Sequence, residues 1–493
     1  MNSDSPPIAY EAVIGLEIHA ELATQSKMFC ACPVVDSTRS APNIAVCPVC
    51  CGMPGVLPVV NRRAVEYAIR VGLALECRIN LSSLFARKNY FYPDLPKGYQ
   101  ISQYEYPLAQ NGRLIIHAAN AEKTICIRRV HLEEDTGKLT HCEDPVTGQG
   151  YSLVDLNRAG VPLLEIVSEP DLRTLDEVRA YATGVRAILV ALGVNSGDME
   201  KGVIRFEANV SVRPVGSSQL FTRTEIKNLN SYRFMERALA YEIDRQTRLV
   251  QAGGSVEQET LGWNEAEGRT FSQRSKEEAH DYRYFPEPDL PPLVFDQSWV
   301  DEIAASLPEL PRAMARRFQA QHAISPTAAD VLVEDRAVAA YFEQVVQAAP
   351  EVAPSVIANW IAGEIFGWLN QNGAAFVQVK VSPPALAQLL RSLSTGEVNQ
   401  PTAKAILSEM LSTGQSAPSI IAARGLLQIS DSDLIAGLVR QVLDANPQEI
   451  ASYRAGKENL ANWFFGQVMK AARGRANPQV LRAELERQLK LPG

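Results

Sequence analysis

In the stretch VIGLEIHAEL, Glu17, His19 and Glu21 alternate with Leu16, Ile18 and Leu22. One parity is apolar and the other ionisable, the period-two pattern of a half-buried strand. A carboxylate beside an imidazole suits a divalent cation or an acid–base pair, although a solvated strand face looks the same in sequence. Further acids follow: His131, Glu133, Glu134 and Asp135 precede a Gly137-Lys138 turn, and Glu165 is enclosed by Leu163, Leu164, Ile166 and Val167. Buried acids repel one another and need a cation or a basic partner. Oxygen-rich donors with one histidine favour Mg²⁺ over zinc, and Mg²⁺ on one or two carboxylates usually carries phosphates. The chain has neither a Gly-x-x-x-x-Gly-Lys-Ser/Thr loop nor a Gly-x-Gly-x-x-Gly after a strand, so an ATP user here would belong to neither familiar class.

Cysteines supply a second kind of chemistry. Cys30-x-Cys32 and Cys47-x-x-Cys50 are separated by fourteen residues. Two short pairs at the ends of a loop can bring four thiolates into the tetrahedron of structural zinc, which ties down a loop and does no chemistry. Four incidental thiols are the alternative, and Cys51 is a neighbour that could substitute or interfere. A third stretch runs from Arg87 to Ser102, with Lys88, Tyr90, Phe91, Tyr92 and Tyr99 interleaved. Basic and aromatic side chains together can stack and neutralise a nucleotide or a single strand, or simply cover a core.

The elements that must position these residues are of two kinds. Up to about residue 295 the chain mixes short alternating strands, Gly/Pro turns and a few long helices, an α+β pattern; beyond it reads as almost all helix. Thr174 and Glu177 form a capping box before Val178, Tyr181, Val185, Ile188 and Leu192, with Gly193 where a C-terminal cap belongs. Prolines 286, 288, 291 and 292 mark a first boundary, and the Ser/Thr/Gly/Pro strings within 394–418 a second. The expected segments are 1–295, 296–410 and 411–493.

The 493 residues, 46% hydrophobic and 21% charged, exclude disordered and collagen-like classes. No apolar run approaches the roughly 18 residues a membrane span needs, and no signal peptide opens the chain, so a soluble cytoplasmic protein is expected. Residues 451–493 carry a net charge of +5 on a chain of −8. A basic end on an acidic chain fits a polyanion partner, as it also fits a solvated helix face.

Longer strings point further: YEAVIGLEIHAEL, RKNYFYPDLPKGYQISQ, HLEEDTGK, YSLVDLNRAGVPLLEIVSEPDL, EIKNLNS, DYRYFPEPDL and GQVMKAARGRANP. With these the chain resembles, over essentially its whole length, the B-subunit family of the aspartyl/glutamyl-tRNA amidotransferases. The resemblance implies a cradle-like catalytic domain, an all-α helical domain and a small YqeY-like tail that contacts tRNA. It implies a carbon–nitrogen ligase with glutamine as amido donor (EC 6.3.5.-). ATP and Mg²⁺ would activate the side-chain carboxylate of Glu-tRNA(Gln) or Asp-tRNA(Asn) as an acyl phosphate, and ammonia from the amidase A subunit would attack it. A small C subunit would clasp the two. The family's catalytic metal role carries over to His19, Glu134 and Glu165, with Glu17 close by; its zinc site carries over to Cys30, Cys32, Cys47 and Cys50. Lys88 and Tyr90 remain candidates for the nucleotide. The chain departs from the family pattern at Lys201 and Glu207, where the pattern has Glu and Asp. It departs again at Phe221-Thr-Arg223, where the pattern has Gly-Thr-Lys, and at Gln273, where it has Met. The competing reading is a non-catalytic zinc-bearing tRNA-binding scaffold.

Overall fold

The computed structural model describes residues 8–119, 121–275, 282–426, 432–472 and 475–490. Asp281 of the DYRYFPEPDL string and Arg473 of the basic tail lie outside them. The chain forms two compact units, 1–311 and 312–493.

The first unit is built on strands that alternate as the sequence predicts. In chain order it contains β1 (Tyr10–Glu21), α1 (Arg62–Ala74), β2 (Arg78–Ile79), β3 (Ser82–Ser83), β4 (Ala86–Asn89), β5 (Tyr99–Ser102), β6 (Ala109–Ala118) and β7 (Ala121–Glu134). Then come β8 (Lys138–Glu143), β9 (Gly150–Asp155), β10 (Pro162–Ser168), α2 (Leu175–Ala191), β11 (Ile204–Pro214), β12 (Thr224–Leu229) and α3 (Tyr232–Gln251). Strands β13 (Glu259–Asn264), β14 (Arg269–Ser275), β15 (Phe285–Pro286), β16 (Leu293–Val294) and helix α4 (Gln297–Ala305) complete it. The main sheet runs β14-β13-β12-β11-β1-β10-β7-β6-β2. Helices α1, α2 and α3 pack on one of its faces. Leu16, Ile18 and Ala20 of β1, Leu132 of β7, Leu164 and Ile166 of β10, and Phe206 and Ala208 of β11 are buried in that core. Because successive side chains of a strand point to opposite faces, Glu17, His19, Glu165, His131 and Glu207 share the other.

Helix α2 begins where the capping signal places it. Thr174 accepts from the Glu177 amide, and Gly193 follows the helix with φ +66°. The Glu177 carboxylate reaches back one residue beyond the cap, to the Arg173 amide at 2.6 Å.

The proline-rich stretch folds back onto this unit. Phe285–Pro286 pairs with Arg87 and Ala86, Leu293–Val294 pairs with Ser83 and Ser82, and Val300 and Ile303 of α4 join the same core. The division into units therefore comes after Pro311, past the expected 295.

The second unit is helical among its described residues. One apolar cluster spans Ala315 to Ile421 and another Ile435 to Leu489. The expected division at 410 falls within the helix Gln400–Thr413. The apolar stretch at 359–369 is core: Trp360, Ile361 and Ile365 are buried in a π-helical turn over Trp360–Ile365, and Leu369 is buried in the α-helix Phe366–Asn372 that follows.

Candidate active site

Register decides which ionisable side chains meet. His19 of β1 pairs with Glu165 of β10, and Glu165 pairs with His131 of β7, so both imidazoles flank one carboxylate in a row across three strands. Nε2 of His19 is 3.3 Å from Glu165 Oε2, and Nε2 of His131 is 3.5 Å from the same oxygen. His19 Nε2 also lies 3.6 Å from both Glu17 and Glu133. Donor atoms of Glu17, His19 and Glu165 lie within 4.8 Å of one another, as do those of His131, Glu133 and Glu165.

Burial makes this proximity costly. Desolvation and the Glu165 carboxylate push the Glu17 carboxyl up to about 8. For His19, burial acts to lower the pKa, but the hydrogen bond to Glu165 and the surrounding carboxylates win and raise it to about 9. Burial likewise opposes charge on Glu165, yet His131 and His19 hold it well below the usual carboxylate range. Protons on Glu17 and His19 thus supply positive charge that a divalent cation would bring, and three carboxylates offer the hard oxygens Mg²⁺ prefers. The donor set fits such a cation, with two differences from the sequence expectation: a second histidine, His131, joins it, and Glu133 stands there where Glu134 was expected.

The structure brings His19, Glu17 and Glu165 together and leaves Glu134 apart. Glu133 and Glu134 are neighbours on β7, so they leave the strand on opposite sides. Glu133 reaches His19, whereas Glu134 accepts from the Ile101 amide at 2.9 Å and holds Lys97 Nζ at 2.6 and 2.7 Å. It lines a separate hollow of about 210 Å³ with Cys30, Cys50, Gly52 and Gly160. The i, i+2 spacing of His131, Glu133 and Asp135 is the sequence signal that selects Glu133.

Cys30, Cys32, Cys47 and Cys50 converge, with their sulfurs within 4.8 Å of one another. A zinc–sulfur bond of about 2.3 Å puts tetrahedral sulfurs about 3.8 Å apart, and Cys47 and Cys50 are separated by 3.9 Å. Hydrogen bonding from Cys30 holds the Cys50 thiol down to about 4, against burial and with help from the Cys47 amide and Lys27. The cluster is compatible with structural zinc. Cys51 is adjacent in the chain but outside this group.

A cavity of about 180 Å³ opens over the histidine–carboxylate cluster. Glu17, His131 and Glu165 line it, together with Lys88, Arg129, Asn209, Arg223 and Lys227. Tyr104 and Tyr284 stack at 4.4 Å on its aromatic side, and Lys88 Nζ lies 4.9 Å over the Tyr282 ring. Tyr90 is not among the lining residues; its ring contacts Tyr92. Of the departures, Glu207 sits on β11 opposite Glu17 and pairs with Lys227 at 2.8 Å, which holds it down to about 2 against burial. Lys201 lies elsewhere, 3.5 Å from Asp36. Sequence reasoning left Arg129, Lys227 and Asn209 without roles because only the sheet brings β7, β11 and β12 into one surface.

Residues 12–301 match the GatB/GatE catalytic domain, and residues 340–489 match the GatB domain family. The chain belongs to the GatB family. It is 49% identical over 474 residues to a protein of Thermodesulfovibrio yellowstonii, covering 96% of this chain and 98% of that one. It is 50% identical over 480 residues to one of Moorella thermoacetica, covering 97% and 100%, and 50% identical over 483 residues to one of Anaeromyxobacter dehalogenans, covering 97% and 99%. Each of these relatives is named as the B subunit of an aspartyl/glutamyl-tRNA(Asn/Gln) amidotransferase. GatB is one component of an amidotransferase, a carbon–nitrogen ligase with glutamine as amido donor. The histidine–carboxylate cluster and its cavity lie within the GatB catalytic domain, which speaks for the catalytic reading over the scaffold. Among the described residues no helix is long and apolar enough to cross a membrane.

Proposed function

We propose that the cavity over His19 and Glu165 is where the side-chain carboxylate of Glu-tRNA(Gln) or Asp-tRNA(Asn) is activated by ATP and converted to the amide. The observation that carries this is the convergence of Glu17, His19, His131, Glu133 and Glu165 around one carboxylate, with Glu17, His131 and Glu165 lining a cavity also lined by cationic side chains. These five side chains would hold Mg²⁺, with Glu133 in place of Glu134. When bound, the cation would neutralise phosphate charge during phosphoryl transfer.

The chain's own residues bind and orient. Lys88, Arg129, Arg223 and Lys227 offer positive charge to anionic substrates, and the Tyr104–Tyr284 stack offers a flat apolar surface to a base. A substrate carboxylate oxygen attacks the terminal phosphorus of ATP and ADP leaves; ammonia then attacks the acyl carbon, inorganic phosphate leaves, and the nitrogen loses a proton. Acyl phosphates hydrolyse readily, so ammonia would arrive sheltered from bulk water, from the amidase A subunit, held to this chain by the small C subunit. Zinc at the four cysteines would be structural, and the basic tail would contact tRNA through its phosphates. All eight cysteines are free, in keeping with a reducing cytoplasm.

The test is conversion of each misacylated tRNA in the reconstituted complex with ATP, Mg²⁺ and ammonium. Amide product that requires both ATP and this chain is expected. Product without ATP, or none from either tRNA, rejects the reading.

A further inference from the structure

Four cationic side chains line the cavity, and three of them are engaged. Lys227 Nζ bridges Glu207 at 2.8 Å and Glu225 at 3.1 Å. Arg129 reaches Glu165 at 3.3 Å, and Lys88 lies over the Tyr282 ring. Arg223 makes no hydrogen bond, ion pair or ring contact among the described residues, although Glu17, Glu165, Glu225 and Glu259 line the same cavity. It is exposed.

The backbone that carries this free guanidinium is fixed. Arg223 immediately precedes Thr224, the fully buried first residue of β12, which pairs with Val210. The Thr224 hydroxyl donates to Glu242 at 3.1 Å and accepts from Gln246 at 3.0 Å. Glu242 is itself buried and takes two hydrogen bonds from Arg245, at 2.9 and 2.6 Å. A cation with an anchored base and an unpaired head is ready for an incoming anion, and the planar guanidinium fork matches two phosphate oxygens at once.

We propose that Arg223 clamps the terminal phosphate of the nucleotide during transfer to the acyl substrate, an inference that rests on reading the cavity as the phosphoryl-transfer site. The bond from a substrate carboxylate oxygen to the terminal phosphorus forms, the bond from that phosphorus to the bridging oxygen breaks, and ADP takes the electron pair. Arg223 donates hydrogen bonds to the transferring group and gives up no proton.

The experiment compares wild type, Arg223→Ala and Arg223→Lys in the reconstituted amidotransferase, varying ATP and Glu-tRNA(Gln) or Asp-tRNA(Asn) independently with ammonium as nitrogen donor. Arg223→Ala is expected to lower kcat/KM for ATP about 10²-fold, leaving KM for the aminoacyl-tRNA and the complex's glutaminase activity unchanged. Arg223→Lys should recover part of the loss, since it keeps the charge and loses the fork. Unchanged kcat/KM for ATP in Arg223→Ala overturns the proposal. A loss confined to KM for the tRNA overturns it equally, by placing the guanidinium on a phosphate of the acceptor end. If wild type forms no amide with ATP, the reading of the cavity falls together with the proposal.

Discussion

Whether an acid on β7 meets the histidine–carboxylate cluster is decided by a single residue of alternation. Glu133 reaches His19 at 3.6 Å, while Glu134 leaves the other side of the strand and is held by Lys97. Glu133→Gln should therefore weaken binding of Mn²⁺, used as a spectroscopic probe, about 10- to 100-fold, whereas Glu134→Gln should leave it within about twofold. The reverse ranking in a paramagnetic-resonance titration would return Glu134 to the cation. His19→Ala should abolish ATP-dependent amidation in the reconstituted complex while its glutaminase activity persists. Near-normal amidation would remove His19 from the mechanism.

Two elements hold the site's surroundings, and each can be tested separately. On α2, Glu177 accepts from the Arg173 amide and pairs with Lys123 at 2.8 Å. Burial opposes its charge, but Lys123 and the amide hold the carboxyl below its ordinary 4.5. A depressed pKa in the folded state stabilises the fold above pH 4.5, and that contribution is lost as pH falls through the folded value. Glu177→Gln should cost about 1 kcal/mol near neutral pH. Urea melts at about pH 7 and about pH 3 should show the gap from wild type closing in acid; a constant gap would mean that the charge contributes nothing. The cysteine loop is the second element. Gly52 has φ +65°, and a Cβ there would lie 2.7 Å from Lys97 Cγ and 2.9 Å from Lys97 N, so the loop packs directly against the partner of Glu134. Cys47→Ser should lose bound zinc and melt earlier than wild type. Metal-free protein with an unchanged Tm would leave the four thiols without a metal role.

At the scale of the whole chain, charge is unevenly placed: a net −8 overall against +5 in residues 451–493. Lys470 lies in the last turn of the helix Leu460–Ala471, and Arg482 on the helix Pro478–Leu489 lies 5.4 Å over the Phe465 ring. If these cations meet tRNA phosphates, Lys470→Glu with Arg482→Glu should weaken tRNA binding. The slope of log K against log salt should also become shallower by about 2. An unchanged slope would make this a solvated helix face.

Much of this was legible from sequence because the signals are local. Alternation over VIGLEIHAEL marks β1 and the side chains of its polar face; Thr174, Glu177 and Gly193 delimit α2 through bonds within one turn; the cysteine spacing foretells a cluster closed by a short loop. Legibility ends where partners come from distant strands. That His131 and Glu133 join His19 and Glu165, that Lys227 is drawn to Glu207, and that Arg223 has no partner among the described residues while lining the same cavity follow from the order and register of β7, β10, β1, β11 and β12. Pairing register is set by which faces can be buried together over the whole sheet, a condition no short stretch of chain contains.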